Sequence, residues 1–86
     1  MAEDNKLPEA TFSAFIFSLN SSALVNLGII EDPATNKKVK DLPLAKQTID
    51  ILVMLVEKTR GNLTKEEESL LKGILYNLKM IYVKEQ

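Results

Sequence analysis

Glu57-Lys-Thr-Arg-Gly-Asn-Leu-Thr-Lys-Glu-Glu67 decides the fold of this chain, because it holds the end of one helix and the start of the next. Gly61 suits the left-handed position just past a helix C-terminus, and Lys58 and Arg60 complement the negative end of the helix dipole. Thr64-Lys65-Glu66-Glu67 is a capping box: the Thr64 hydroxyl accepts from the Glu67 amide, and the Glu67 side chain accepts from the Thr64 amide. With so few residues between stop and start, the chain must reverse. The spacing predicts an antiparallel hairpin of two helices.

Reading outward, the helix before the link runs from about Pro43 to Thr59, since proline at a first helical position is a start signal. Leu44, Thr48, Ile51, Leu52, Leu55 and Thr59 form its natural inward side. Lys46, Gln47, Asp50, Glu57 and Lys58 mark the outward side, with Val53 and Met54 among them. A centre as apolar as Ile51-Leu-Val-Met-Leu-Val56 predicts burial on every face. The helix after the link places Leu70, Leu71, Ile74, Leu75, Leu78, Ile81 and Tyr82 on one broad apolar face. Tyr76, Met80 and Val83 make a second, flanking one. Glu66, Glu67 and Glu68 suit the positive end of its dipole, and Lys79 and Lys84 the other end.

Upstream, no charged residue occurs between Thr11 and Ile30. Thr11 is an N-cap type and Gly28 a left-handed closing residue, so this run is a helix as well. Phe12, Phe15, Ile16, Leu19, Ala23 and Leu27 recur at helical spacing as one apolar stripe. Ala14, Ser18, Ser21, Ser22 and Val25 form another, of small residues that allow a second helix to approach closely. Residues 1–10 read as a flexible leader and 11–86 as a single helical domain. Glu31 to Asp41 is a connecting loop, with Asp32-Pro33-Ala34-Thr35 suited to a type I turn.

The chain has 86 residues, no cysteine, no histidine and a formal net charge of −1. A domain this small is near the lower end of what folds alone, and small proteins usually add disulfides, a metal or a partner subunit. Without cysteine or histidine the commonest metal ligands and the commonest general base are missing, which leaves a partner subunit. A near-neutral balance argues against duplex DNA, whose phosphates require a basic excess. Lys37, Lys38 and Lys40 cluster only as a loop would. Ser18, Asn20, Ser21, Ser22 and Asn26 interrupt the charge-free run, and no basic flank or aromatic belt borders it, so no membrane is expected. The acidic start Met1-Ala-Glu-Asp is unlike an export signal, and cytoplasmic residence is the default.

Phe12-x-x-Phe15, Leu27-Gly28, Ile49-Asp50, Met54-Leu-Val-Glu-Lys-Thr59, Gly61-Asn-Leu-Thr64, Glu67 and Leu75-Tyr76 together resemble a bacterial family, the domain of unknown function numbered 1844. The resemblance spans nearly everything from Leu7 to Val83, and the Glu57-to-Thr64 string is its most specific part. Arg60 and Lys79 depart mildly, standing where the family is expected to show lysine and arginine. The resemblance implies a small helical bacterial protein. It carries over no activity and no functional residues.

Individual residues offer little chemistry. Asp50 precedes the most apolar segment, but Lys46 lies four residues earlier and can pair with it. Ser21 and Ser22 have no histidine to activate them. Lys58-Thr59-Arg60-Gly61-Asn62 lacks the strand, the glycine spacing and the Lys-Ser/Thr pair of a phosphate-binding loop. Glu31, Asp32 and Asn36 lack the glycine and terminal glutamate of a calcium loop.

The expectation is therefore an all-α domain of three helices, completed as a homodimer, with no catalytic, cofactor-binding or metal-binding residues. The candidate interface is Ala14, Ser18 and Ser22 with Val53, Met54, Tyr76 and Met80. A helical adaptor for another protein's amphipathic helix is the second reading. An accessory factor for RNA or ribosomes, using Lys37, Lys38, Lys40 and Arg60, is the third.

Overall fold

The computed structural model describes residues 10–86, so all of the leader but Ala10 lies outside the described residues. Three helices follow in order: α1 (Phe12–Asn26), α2 (Leu42–Lys58) and α3 (Lys65–Glu85). Among the described residues there is no strand, only the isolated bridges Leu27–Lys40 and Asp32–Lys37. Each helix packs on the other two. Three mutually packed helices are two layers deep, and two layers about 10 Å apart give a slab about 15 Å thick. The short dimension of the molecule is 16 Å.

The caps sit where the residue types place them. The Thr11 hydroxyl accepts from the Ala14 amide at 3.0 Å, and Gly28 closes α1 at φ +78°. Thr64 and Glu67 make the reciprocal capping box, with bonds of 3.1 and 2.9 Å. Gly61 follows α2 at φ +82°. The start of α2 has a second device besides Pro43: the Asp41 carboxylate accepts from the Leu44 amide at 3.1 Å. Between α1 and α2 the loop is pinned. Asp32 accepts from Ala34 through its side chain and from Thr35 and Asn36 through its carbonyl, and the Asp41 amide donates to the Asn26 carbonyl at 2.7 Å.

Eight apolar residues form the buried core: Ile16, Ala23 and Leu27 from the α1 region, Ala45, Ile49 and Leu52 from α2, Leu71 and Leu78 from α3. Each fully buried leucine or isoleucine contributes about 1.5–3 kcal/mol of transfer free energy. The inward side of α2 is rotated from the one its sequence suggested. Ala45, Thr48, Ile49 and Leu52 face the core, whereas Leu44 is exposed and Ile51 and Leu55 are half-buried. Ala45 is fully buried within the core cluster. Burial on every face of α2 does not hold either, because Val53 and Met54 are exposed. In α1, Phe15 leaves the stripe to which its spacing assigned it and is 48% exposed. Phe12, Ile16, Leu19, Ala23 and Leu27 already fill the contact with α2 and α3, and Phe15 lies on its border.

Candidate interaction surface

α3 carries two apolar stripes on opposite sides. The inner one centres on Leu71 and Leu78, flanked by the half-buried Leu70, Ile74, Leu75, Ile81 and Tyr82. The outer one runs Ser69, Gly73, Tyr76, Met80 and Val83, alternating steps of four and three residues, and every member is exposed. Such a narrow seam is the spacing that two helices use to pack side by side. Tyr76 and Val83 are each 68% exposed and Met80 52%. Lys65, Lys72 and Lys79, at intervals of seven, line one border.

The other expected interface residues do not join this seam. Val53 and Met54 are exposed on α2, where Met54 shares its side with Gln47, Asp50 and Glu57. Ser18 and Ser22 are exposed and Ala14 half-buried, on the side of α1 turned away from Ile16 and Ala23. Both this side of α1 and the outer seam of α3 point away from the core, and the seven residues are carried by three different helices.

Ser22 belongs instead to an open groove of about 500 Å³ between the end of α1, the loop and the start of α2. Val25, Ile30, Pro33 and Leu44 give it an apolar lining, and Ser21 and Asn26 add polar atoms. A smaller pocket of about 180 Å³ lies at the α2–α3 link, beside Val56, Leu63, Arg60 and Lys72.

Four pairs of charged groups meet on the surface of the described residues. Lys46 reaches Asp50 at 3.0 Å, Lys72 reaches Glu68 at 3.0 Å and Arg60 reaches Glu57 at 2.7 Å, all on exposed helix faces. Asp50 is thus an exposed ion-pair partner, as its spacing from Lys46 predicts. Lys40 pairs with Glu85 at 2.7 Å, joining the loop residue before the α2 N-cap Asp41 to the last residue of α3. The bond and charge of Lys40 hold the Glu85 carboxyl below the ordinary glutamate range. Among the described residues no three acidic side chains converge as a metal site would require. No helix among them is long and apolar enough to cross a membrane.

Two features escaped the sequence reading. The Asn20 side-chain oxygen is buried without a hydrogen-bond partner. Gly73 lies in the interior of the longest helix, exposed, with nothing within 4 Å of where a Cβ would stand. A glycine there costs the helix roughly 0.5–1 kcal/mol relative to alanine. Its presence at helical spacing from Tyr76 and Met80 was the available signal.

Fold and surface together define a class: a small all-helical domain with a closed core and an apolar seam on its longest helix. More particularly, the chain belongs to the family described as Domain of unknown function (DUF1844), which matches residues 9–84. No curated protein and no solved structure matches it.

Proposed function

We propose that this is a non-enzymatic helical interaction protein of the bacterial cytoplasm, and that its first partner is a second copy of itself. The observation that carries the reading is the outer side of α3, where Tyr76, Met80 and Val83 stand more than half exposed along one line. Water-facing tyrosine, methionine and valine in a row lose little by leaving solvent, and burying each gains on the order of 1.5–3 kcal/mol. The reading takes α2 and α3 as an antiparallel hairpin. The short link between their caps and the Lys40–Glu85 pair, which ties the start of one to the end of the other, support this.

Size-exclusion chromatography with light scattering on wild type, Tyr76→Lys and Met54→Lys tests it. A dimer that Tyr76→Lys splits into folded monomers supports the reading. A wild-type monomer at high micromolar concentration contradicts it.

The groove beside α1 favours a second reading, an adaptor that receives one amphipathic helix of another protein. Its apolar lining by Val25, Ile30 and Leu44 suits a pair of aliphatic side chains one helical turn apart. A monomeric protein that Leu44→Asp deprives of a stoichiometric partner would move this reading to first place.

A further inference from the structure

Gly73 is unexplained by the monomer. It is exposed, its helical backbone conformation is open to any residue, and a Cβ added to it would meet nothing within 4 Å. Any common helix former would make α3 more stable by itself. What glycine does provide is a notch, deepened by the small Ser69 one turn earlier. One turn later the same stripe rises into Tyr76 and Met80, the two largest side chains on that side. A notch and a knob on one line are complementary to the same line reversed.

We propose that α3 is the twofold interface of a homodimer, with two α3 helices crossing antiparallel so that each Tyr76 ring fills the notch over the partner's Gly73. This rests on the self-association reading above and specifies its surface. In that register Met80 lies level with the partner's Ser69 and Val83 with the partner's Glu66. The arrangement is isologous, each contact occurring twice about the axis.

Charge fits the same register. Glu66 comes beside the partner's Lys84 at both ends of the seam, and neither has an ion-pair partner among the described residues. On the lysine border, the partner's Lys79 approaches Glu68, which already holds Lys72 at 3.0 Å and shields the like charges. Area fits too. Large side chains with the exposure of Tyr76, Met80 and Val83 offer together on the order of 350 Å² per copy, to which the aliphatic stems of Lys72 and Lys79 add. A standard interface takes about 800 Å² per partner, a little over half of it apolar. The seam reaches the lower end of that range, where weak and reversible interfaces are found.

The test uses the full chain, which has no cysteine of its own. Ser69→Cys and Met80→Cys chains, mixed and mildly oxidised, are expected to form the 69–80 heterodisulfide in preference to either homodisulfide, because only level positions bring Cα atoms within about 7 Å. Gly73→Leu is expected to raise the dissociation constant about tenfold or more while leaving helicity and dilute melting temperature unchanged or higher. A dimer indifferent to Gly73→Leu, with no preferred 69–80 product, overturns the α3 interface and leaves self-association through another face standing. A wild-type monomer overturns both. Binding of the wild-type monomer to vesicles of anionic lipid, lost in Tyr76→Ser, would assign the lysine-bordered seam to a lipid surface and likewise overturn the dimer.

Discussion

The inner and outer sides of α3 are both apolar stripes at helical spacing, yet only one is closed. Leu71 and Leu78 are fully buried under α1 and α2, while Tyr76, Met80 and Val83, a half-turn away on the same helix, face solvent. Leucine dominates the inner side, and its branched ends interlock with Ile16, Leu27, Ile49 and Leu52. The outer side mixes glycine and serine with one aromatic and one methionine, a profile of knobs and gaps. Hydrophobicity alone does not separate a core stripe from an association stripe. Width and relief do: the core side spans two leucine rows, the outer side a single seam with a notch.

The sharpest break between the two sides would come from truncating one residue of each. Leu78→Ala is expected to cost about 3 kcal/mol, as full removal of a buried leucine does. For a domain of this size that lowers the melting temperature by more than about 10 °C, at every protein concentration. Thermal melts at dilute and concentrated protein measure it. Tyr76→Ala is expected to leave the dilute melt within about 0.5 kcal/mol of wild type, the usual range for a surface change. It should abolish the rise of melting temperature with concentration that coupled association produces. A dilute-limit loss as large as that of Leu78→Ala would mean that the outer side is core.

Asn20→Leu sharpens the contrast from α1. Its buried oxygen has no partner, and relieving such a group returns about 1–3 kcal/mol if the leucine packs. Urea melts should show a higher midpoint with an unchanged slope. A lower midpoint would mean that the amide makes a bond through water.

Gly73→Ala should add about 0.4–1 kcal/mol to the dilute monomer and weaken association, moving two observables in opposite directions. Helicity-monitored melts and light scattering read the two effects separately.

The smallest effect is expected at the Lys40–Glu85 pair. Because Lys40 lowers the Glu85 pKa in the folded chain, the pair stabilises the fold above the ordinary glutamate range. The contribution fades as pH falls through the lowered folded value. Glu85→Gln should therefore narrow its gap to wild type in acid, in melts followed from neutral pH downward. A gap that widens in acid would contradict the pairing.

The caps of α1 and α3, the helix order and the inner side of α3 were legible in the sequence because each depends on local chemistry. The Asp41 cap of α2, one residue before Leu42, was not. Thr64 and Glu67 satisfy one another's backbone within a single turn, and Gly28 and Gly61 adopt the positive φ for which glycine is suited. The phase of α2 was not legible. Its apolar residues occur at nearly every position from Ile51 to Val56, so the hydrophobic pattern left several inward faces open. The choice of Ala45 and Ile49 over Leu44 and Ile51 is fixed by tertiary packing, which the local pattern does not encode. Charge absence in α1 was a true signal of an unusual helix but a poor guide to its orientation. Without polar residues to mark an outside, the position of Phe15 and Phe17 at the borders, about half exposed, could only emerge from packing. Of the proposed surface, Tyr76 and Met80 stood out as apolar residues off the core side. Gly73 gained meaning only once the space around it was known to be empty.

Sedimentation equilibrium of wild type and Gly73→Leu, from low to high micromolar concentration, is the most direct measurement. The account predicts a wild-type monomer–dimer equilibrium in the micromolar range and a folded Gly73→Leu chain displaced at least about tenfold toward monomer. Identical curves for the two proteins would contradict it.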